Sequence, residues 1–250
     1  MNSLESPRPI LATGTRGCVE FLLPTVLSRG MEVEGKEYIP NDGPAIIVIN
    51  HMGWAEILPP MLIVPKQPIP VIKSETMHNN FLGMFAKAFH SIGIQRETSD
   101  REAMNLCVDA LKENNILIVF PEGTRGKTYQ EQHELKPALS GTMFMAKRAA
   151  MVMEKPVKIS PWAIWGTENI FSRLEDKSTS LGERLAFTRS KIHVSIAPPF
   201  EIEPPTSKQF QETLEPGMNQ IMLTIRDMLP EQYHGVYKGI PTPNNLSRKI

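Results

Sequence analysis

Apolar positions in this chain fall into short dense runs separated by longer stretches of helical period. The runs at 45–49, 69–73 and 116–120 are rich in β-branched residues and short enough to be buried strands. The stretch 157–165 reads the same way but is expected to break at Pro161, and 192–197 closes the series with period-two alternation. Between the strands lie candidate helices. A short one is expected from about Gly53, where it must negotiate Pro59-Pro60, and 81–89 is strongly apolar and helical in character. Ile92 to Gln95 leads to Arg96. Ser99-Asp100-Arg101-Glu102 has the form of a capping box, and the helix it opens carries Ala103, Met104, Cys107, Ala110 and Leu111 on one face before ending near Asn114-Asn115. Helices are also predicted at 140–153 and 210–229, the latter with a possible split at Pro216-Gly217. Segments 32–44 and 127–134 read as polar turn or loop, and 171–191, charged and weakly patterned, as a loop or short exposed helix. Strands alternating with helices predict an α/β fold, a mostly parallel sheet flanked by helices, in one domain over 31–240.

The flanks differ from the domain. Residues 1–9 read as a loose tail and 241–250 as a flexible one. Residues 10–30 interleave apolar groups with Arg16, Glu20 and Arg29, the pattern of an amphipathic helix kinked or broken at Pro24. Such a helix either packs on the core or lies on a membrane. It is too interrupted to span one, which takes ~20 consecutive apolar residues. No secretory leader pattern is visible at the start.

Composition narrows the partners. Lys plus Arg equals Asp plus Glu at 27 each, so net charge gives no argument for nucleic acid. Cys18 and Cys107 are far apart and the six histidines are scattered, which supplies neither a disulfide framework nor zinc-ligand spacing. The 14 methionines suit core filling, or an adaptable surface for fatty chains.

Candidate chemistry gathers at two strand ends. The run 45–49 delivers Asn50-His51, and a carboxylate, Glu56, follows. A histidine at a strand end with a carboxylate about one helical turn on can assemble a general base and the group that orients it. The run 116–120 delivers Pro121-Glu122-Gly123-Thr124-Arg125. Arg96 and Arg125 both follow strand-like runs, where open α/β sheets form their ligand crevices, and a pair of guanidinium groups there can hold a phosphate. There is no Gly-x-Ser-x-Gly elbow, and Gly126-Lys127-Thr128 lacks the upstream glycine of a P-loop.

Asn50-His51 through Glu56, Gly93-Ile94-Gln95-Arg96, Phe120-Pro121-Glu122-Gly123-Thr124-Arg125 and Val157-Lys158-Ile159-Ser160-Pro161 resemble, in order and spacing, the four blocks of the glycerolipid acyltransferase family, which includes the 1-acyl-glycerol-3-phosphate acyltransferases. Leu135-Lys136-Pro137-Ala138 resembles the Phe-Lys-x-Gly segment that follows the third block, and 228–237 the tail of bacterial members. The resemblance implies His51 as the base and Glu56 as its partner. It also implies Arg96, Glu122, Gly123, Thr124 and Arg125 as the binding set for a phosphorylated acceptor. It implies no cofactor, acyl-CoA or acyl carrier protein as the thioester donor, a lysophospholipid as acceptor, with lysophosphatidate the first choice, and a peripheral position on the cytoplasmic face of a membrane. Two positions depart from the family pattern. Glu56 stands where the family has aspartate, and Gly53 where it has a small hydroxyl residue. These departures leave two other roles open: acylation of a different acceptor, and lipid binding without catalysis.

Overall fold

A computed structural model describes residues 28–53, 55–77, 83, 86–87, 89–95, 100–124, 133–174 and 184–242. Residues 10–27 of the expected amphipathic helix, most of 81–89, the C-terminal tail from 243, Arg96 and Arg125 lie outside the described residues.

The chain runs β1 (Ser28–Glu34), β2 (Ala45–Ile49), α1 (Leu58–Ile63), β3 (Ile69–Lys73), α2 (Ser74–Met77), β4 (Ile92–Ile94), α3 (Arg101–Lys112), β5 (Ile116–Val119), α4 (Gly141–Met153) and β6 (Val157–Trp165). It continues through β7 (Phe171–Leu174), β8 (Arg184–Phe187), β9 (Ser190–Ile196), β10 (Phe200–Ile202), α5 (Ser207–Glu212) and α6 (Leu214–Met228). The main sheet has the order β1-β9-β6-β2-β5-β3-β4, with β10 on β6; β7 and β8 form a separate hairpin. Neighbours from β6 to β4 are parallel, as are β1 and β9, whereas β6 meets β9 and β10 antiparallel. The fold class is the one the strand–helix alternation predicts.

β2 sits at the centre because both of its faces are apolar. Ile46 and Val48 join one core with α3, α4 and α6, while Ala45, Ile47 and Ile49 join another that contains Met61, Val64 and Trp162. On the first side Met143, Met145, Met218 and Met222 fill the space between helices and sheet, the core-filling role of an unbranched thioether. Each fully buried large aliphatic contributes roughly 1.5–3 kcal/mol.

Several local expectations are corrected. Residues 28–34 form a strand, where the pattern predicts the end of a helix at 30 and polar turn or loop from 32. Residues 52–53 and 55–57 are bends and turns, and the first described helix starts at Leu58, with its prolines near the N-terminus where no N–H is needed. Asp100, not Ser99, caps α3, its side chain accepting from the Ala103 N–H at 2.9 Å; the reciprocal bond of a capping box is absent. β6 is not broken at Pro161. That proline faces the gap where β9 ends and β10 begins along the same edge of β6, and its carbonyl accepts from the Ala197 N–H, so little pairing is lost to the missing N–H. The weakly patterned stretch 171–191 holds the hairpin and the start of β9. The C-terminal helix is split at Thr213 instead of 216–217, and Pro216 sits in the first turn of α6.

Candidate active site

β2 and β5 are neighbours whose onward connections leave in opposite directions, β2 toward β3 and β5 toward β6. The C-terminal ends of such a pair open into a crevice, the usual ligand site of an open α/β sheet. His51 lies just past β2 and Glu122 just past β5, while Thr167 and Glu168 follow β6 on the other side of β2.

Asn50 fixes the end of β2. Its buried side chain donates to the Ile164 carbonyl at 2.7 Å and accepts from the Ile164 N–H at 2.8 Å, copying a strand rung onto β6. The His51 ring then turns into the crevice with its side chain 17% exposed, and its face lies on Phe120 at 4.4 Å between centroids. His51 Nδ1 stands 3.1 Å from Glu56 Oε2, within the range for a base and its orienting group.

The two oxygens of Glu56 have different tasks. Oε2 faces the imidazole. Oε1 accepts the N–H of Met52 at 2.7 Å, the N–H of Gly53, and the Thr167 hydroxyl at 3.3 Å. The longer side chain therefore folds back beneath the 52–53 backbone and still reaches the ring. Burial pushes the Glu56 carboxyl well above the usual carboxylate range; the Gly53 and Met52 amides oppose the rise, and the charges of Glu168 and Glu122 add to it.

Glu122 grips the same histidine from the other strand. Its Oε1 accepts the backbone N–H of His51 at 2.7 Å; its Oε2 accepts the Lys136 N–H at 2.8 Å and lies 3.2 Å from Lys136 Nζ. Burial raises this carboxyl too, with Lys136 the main opposing influence. Lys136 Nζ also reaches the carbonyls of Glu134 at 3.2 Å and His51 at 3.5 Å. After Glu122 the chain turns on Gly123, whose φ of 71° favours glycine and whose N–H donates to the Phe120 carbonyl. Thr124 follows, exposed at the mouth.

Behind Glu56 sits Glu168, 2% exposed. One of its oxygens accepts from the Tyr233 hydroxyl at 2.8 Å and the Asn169 amide at 2.9 Å; the other is buried without a hydrogen-bond partner.

A family model described as acyltransferase matches residues 30–165. The chain belongs to the acyltransferase family. Over 100 residues it is 32% identical to the 1-acyl-sn-glycerol-3-phosphate acyltransferase of Bacillus subtilis, covering 40% of this chain and 50% of that protein. Over 200 residues it is 26% identical to the 1-acyl-sn-glycerol-3-phosphate acyltransferase alpha of Mus musculus, covering 78% of this chain and 63% of that one. The chain thus spans half to just under two thirds of the length of these relatives. The crystal structure of the 1-acyl-sn-glycerophosphate acyltransferase PlsC from Thermotoga maritima aligns with a TM-score of 0.59 at 22% identity, covering 88% of this chain and 83% of that one, which shows a shared fold.

Within this acyltransferase fold the residues singled out in sequence largely converge. His51, Glu56, Glu122, Gly123 and Thr124 lie at the ends of the adjacent strands β2 and β5; Arg96 and Arg125 are outside the described residues. Lys136, quoted in a motif but given no role, is the counter-charge of Glu122. Thr167 was missed altogether: a threonine in a Gly-Thr-Glu-Asn turn carries no signal that it faces a residue 111 positions earlier.

Proposed function

We propose that the protein is an O-acyltransferase that moves a fatty acyl group from an acyl thioester, acyl-CoA or acyl carrier protein, to the free hydroxyl of a lysophospholipid. Relatives named for 1-acyl-sn-glycerol-3-phosphate favour that acceptor. The observation that carries the proposal is the contact of His51 Nδ1 with Glu56 Oε2 at 3.1 Å in the strand-end crevice.

Glu56 holds the proton of His51 on Nδ1, which leaves Nε2 as the basic nitrogen. Nε2 takes the proton of the acceptor hydroxyl as its oxygen attacks the thioester carbonyl. The C–S bond then breaks, the sulfur leaves with the proton from the imidazolium, and an ester and a free thiol result. No serine acyl-enzyme is needed. Glu122 and Lys136 hold the His51 backbone in place, and Gly123 and Thr124 bring the turn after β5 close to the acceptor phosphate, with Arg125 and Arg96 supplying positive charge. Among the described residues no helix is long and apolar enough to cross a membrane. A lipid acceptor and a thioester donor together suit an enzyme bound peripherally on the cytoplasmic face of a membrane.

The test is thioester release with a panel of acceptors. Release with lysophosphatidate, falling ~10²–10⁴-fold in a folded His51→Ala variant, is the expected outcome. Release only with another lysophospholipid, glycerol 3-phosphate or a non-phospholipid alcohol would correct the acceptor. No release with any acceptor would make this a lipid-binding protein without catalysis.

A further inference from the structure

We propose that Thr167 is a positioning residue for the His51–Glu56 pair, and that Gly53 is glycine so that Thr167 can reach it. The proposal rests on the acyltransferase reading and adds to it a residue from a third strand end.

Gly53 and Glu56 are the two departures from the family's first block, and the structure joins them. A Cβ on Gly53 would lie 2.9 Å from the Thr167 carbonyl carbon, 3.0 Å from the Glu168 nitrogen and 3.0 Å from the Thr167 oxygen. All three are backbone atoms, so no rotamer change could relieve the overlap. Lacking that carbon, the 167–169 turn after β6 settles directly on the 52–53 backbone. The descent carries the Thr167 side chain, 1% exposed, over Glu56, and its hydroxyl donates to Oε1 at 3.3 Å. That distance is long for an O–H···O bond, yet Glu56 is the acceptor this buried hydroxyl has.

The consequence lies in how the carboxylate is held. A glutamate has one more rotatable bond than an aspartate and needs more restraint to present one oxygen to an imidazole. Met52, Gly53 and Thr167 all converge on Oε1, which leaves Oε2 aimed at Nδ1. A hydroxyl donating to Oε1 acts in the same sense as the Gly53 and Met52 amides, favouring the charged carboxylate, against the burial and the Glu168 and Glu122 charges that favour the protonated form. The pair acts as a base only when it carries the single Nδ1 proton and Nε2 is free of one, so loss of a donor that favours the charged carboxylate raises the pair's proton affinity and moves the acid limb of activity to higher pH.

The experiment compares native protein, Thr167→Val, Thr167→Ser, Gly53→Ala and Gly53→Ala/Thr167→Val. It reads kcat and KM, the pH–rate profile, and by NMR the position and titration of the His51 Nδ1 proton. Thr167→Val should lower kcat about tenfold with KM for both substrates unchanged, and raise the acid limb and the His51–Glu56 titration by up to about one pH unit. Thr167→Ser should restore both. Gly53→Ala should match Thr167→Val, and the double variant should be no worse than either single one, because both remove one contact. Native titration and kcat in Thr167→Val overturn the proposal. So do additive losses in the double variant, failure of serine to rescue, or a lower kcat with an unmoved acid limb. If the native protein releases no thioester, the acyltransferase reading has failed, and the Nδ1 proton alone decides whether Thr167 positions the pair. Should Thr167→Val not fold, Gly53→Ala and Thr167→Ser carry the same comparison.

Discussion

Two buried glutamates hold His51, and they do so in opposite ways. Glu122 takes the backbone N–H and has its own cation, Lys136 at 3.2 Å. Glu56 takes the ring nitrogen, and the partners assigned to it are two amides, a hydroxyl and the imidazole itself. A carboxylate neutralised by a lysine has little charge left to lend; it is a fastening. One balanced only by dipoles gains most when the ring beside it becomes positive, which happens as a general base takes its proton. The same residue type, equally buried, is thus a fixed anchor on one strand end and a responsive partner on the other.

Neutralising each in turn separates the two roles. Glu56→Gln should lower kcat by ~10²–10⁴-fold, close to His51→Ala, with KM little changed. Its amide donates to Nδ1 and so leaves the proton on Nε2, the wrong tautomer for a base. Glu56→Asp restores the family residue but is shorter by about 1.5 Å, one C–C bond. It cannot keep the Met52 and Gly53 amides and still touch the ring, so a loss of about tenfold is expected. Steady-state kinetics on the folded variants checks both. An aspartate variant as fast as the native protein would mean that the backbone around Met52, Gly53 and Glu56 relaxes freely.

The anchor should fail through folding instead. Lys136→Met leaves Glu122 charged and buried without its cation, which costs about 3–5 kcal/mol of stability. Adding Glu122→Gln should recover part of that, because a neutral amide needs no counter-charge. Chemical denaturation of the single and double variants measures the effect. A Lys136→Met protein of native stability but lower activity would move Lys136 from the scaffold to the substrate.

How much of this was legible in sequence follows from which forces act locally. β2 and β5 could be read because both faces are buried and the runs are continuously apolar. Asn50-His51 and Glu122-Gly123 could be placed because strand ends of such sheets carry the chemistry. β1 was obscured: Met31 and Val33 pack inward while Glu32 faces out to Lys191 and His193, an edge-strand alternation lying directly after a helical-looking stretch. The geometry at Glu56 could not be read at all. It depends on a turn that is not helical, and on the 167–169 backbone filling space left by an absent Cβ. Lys136 was visible as a motif but not as a partner, since only the fold brings it to the residue that holds the His51 N–H.

The finest distinction between the two glutamates is in how stability depends on pH. Both carboxyls have a higher proton affinity folded than unfolded, Glu56 the more strongly because no lysine opposes its burial. Below the ordinary carboxylate pKa of 4.5 both states hold these protons, and the groups contribute their full stability. As pH rises above that value the unfolded chain releases them while the folded protein still binds them. Stability therefore falls through the window up to the folded pKa, by up to about 1.4 kcal/mol per pH unit for each group. Glu56→Gln should flatten this decline between mildly acidic and neutral pH more than Glu122→Gln does, since the second carboxyl is already favoured in its charged form by Lys136. Urea denaturation of the native protein and both variants across that range gives the slopes directly. Equal flattening by the two substitutions would mean that Lys136 does not distinguish the carboxyls, and the contrast between anchor and partner would then rest on geometry alone.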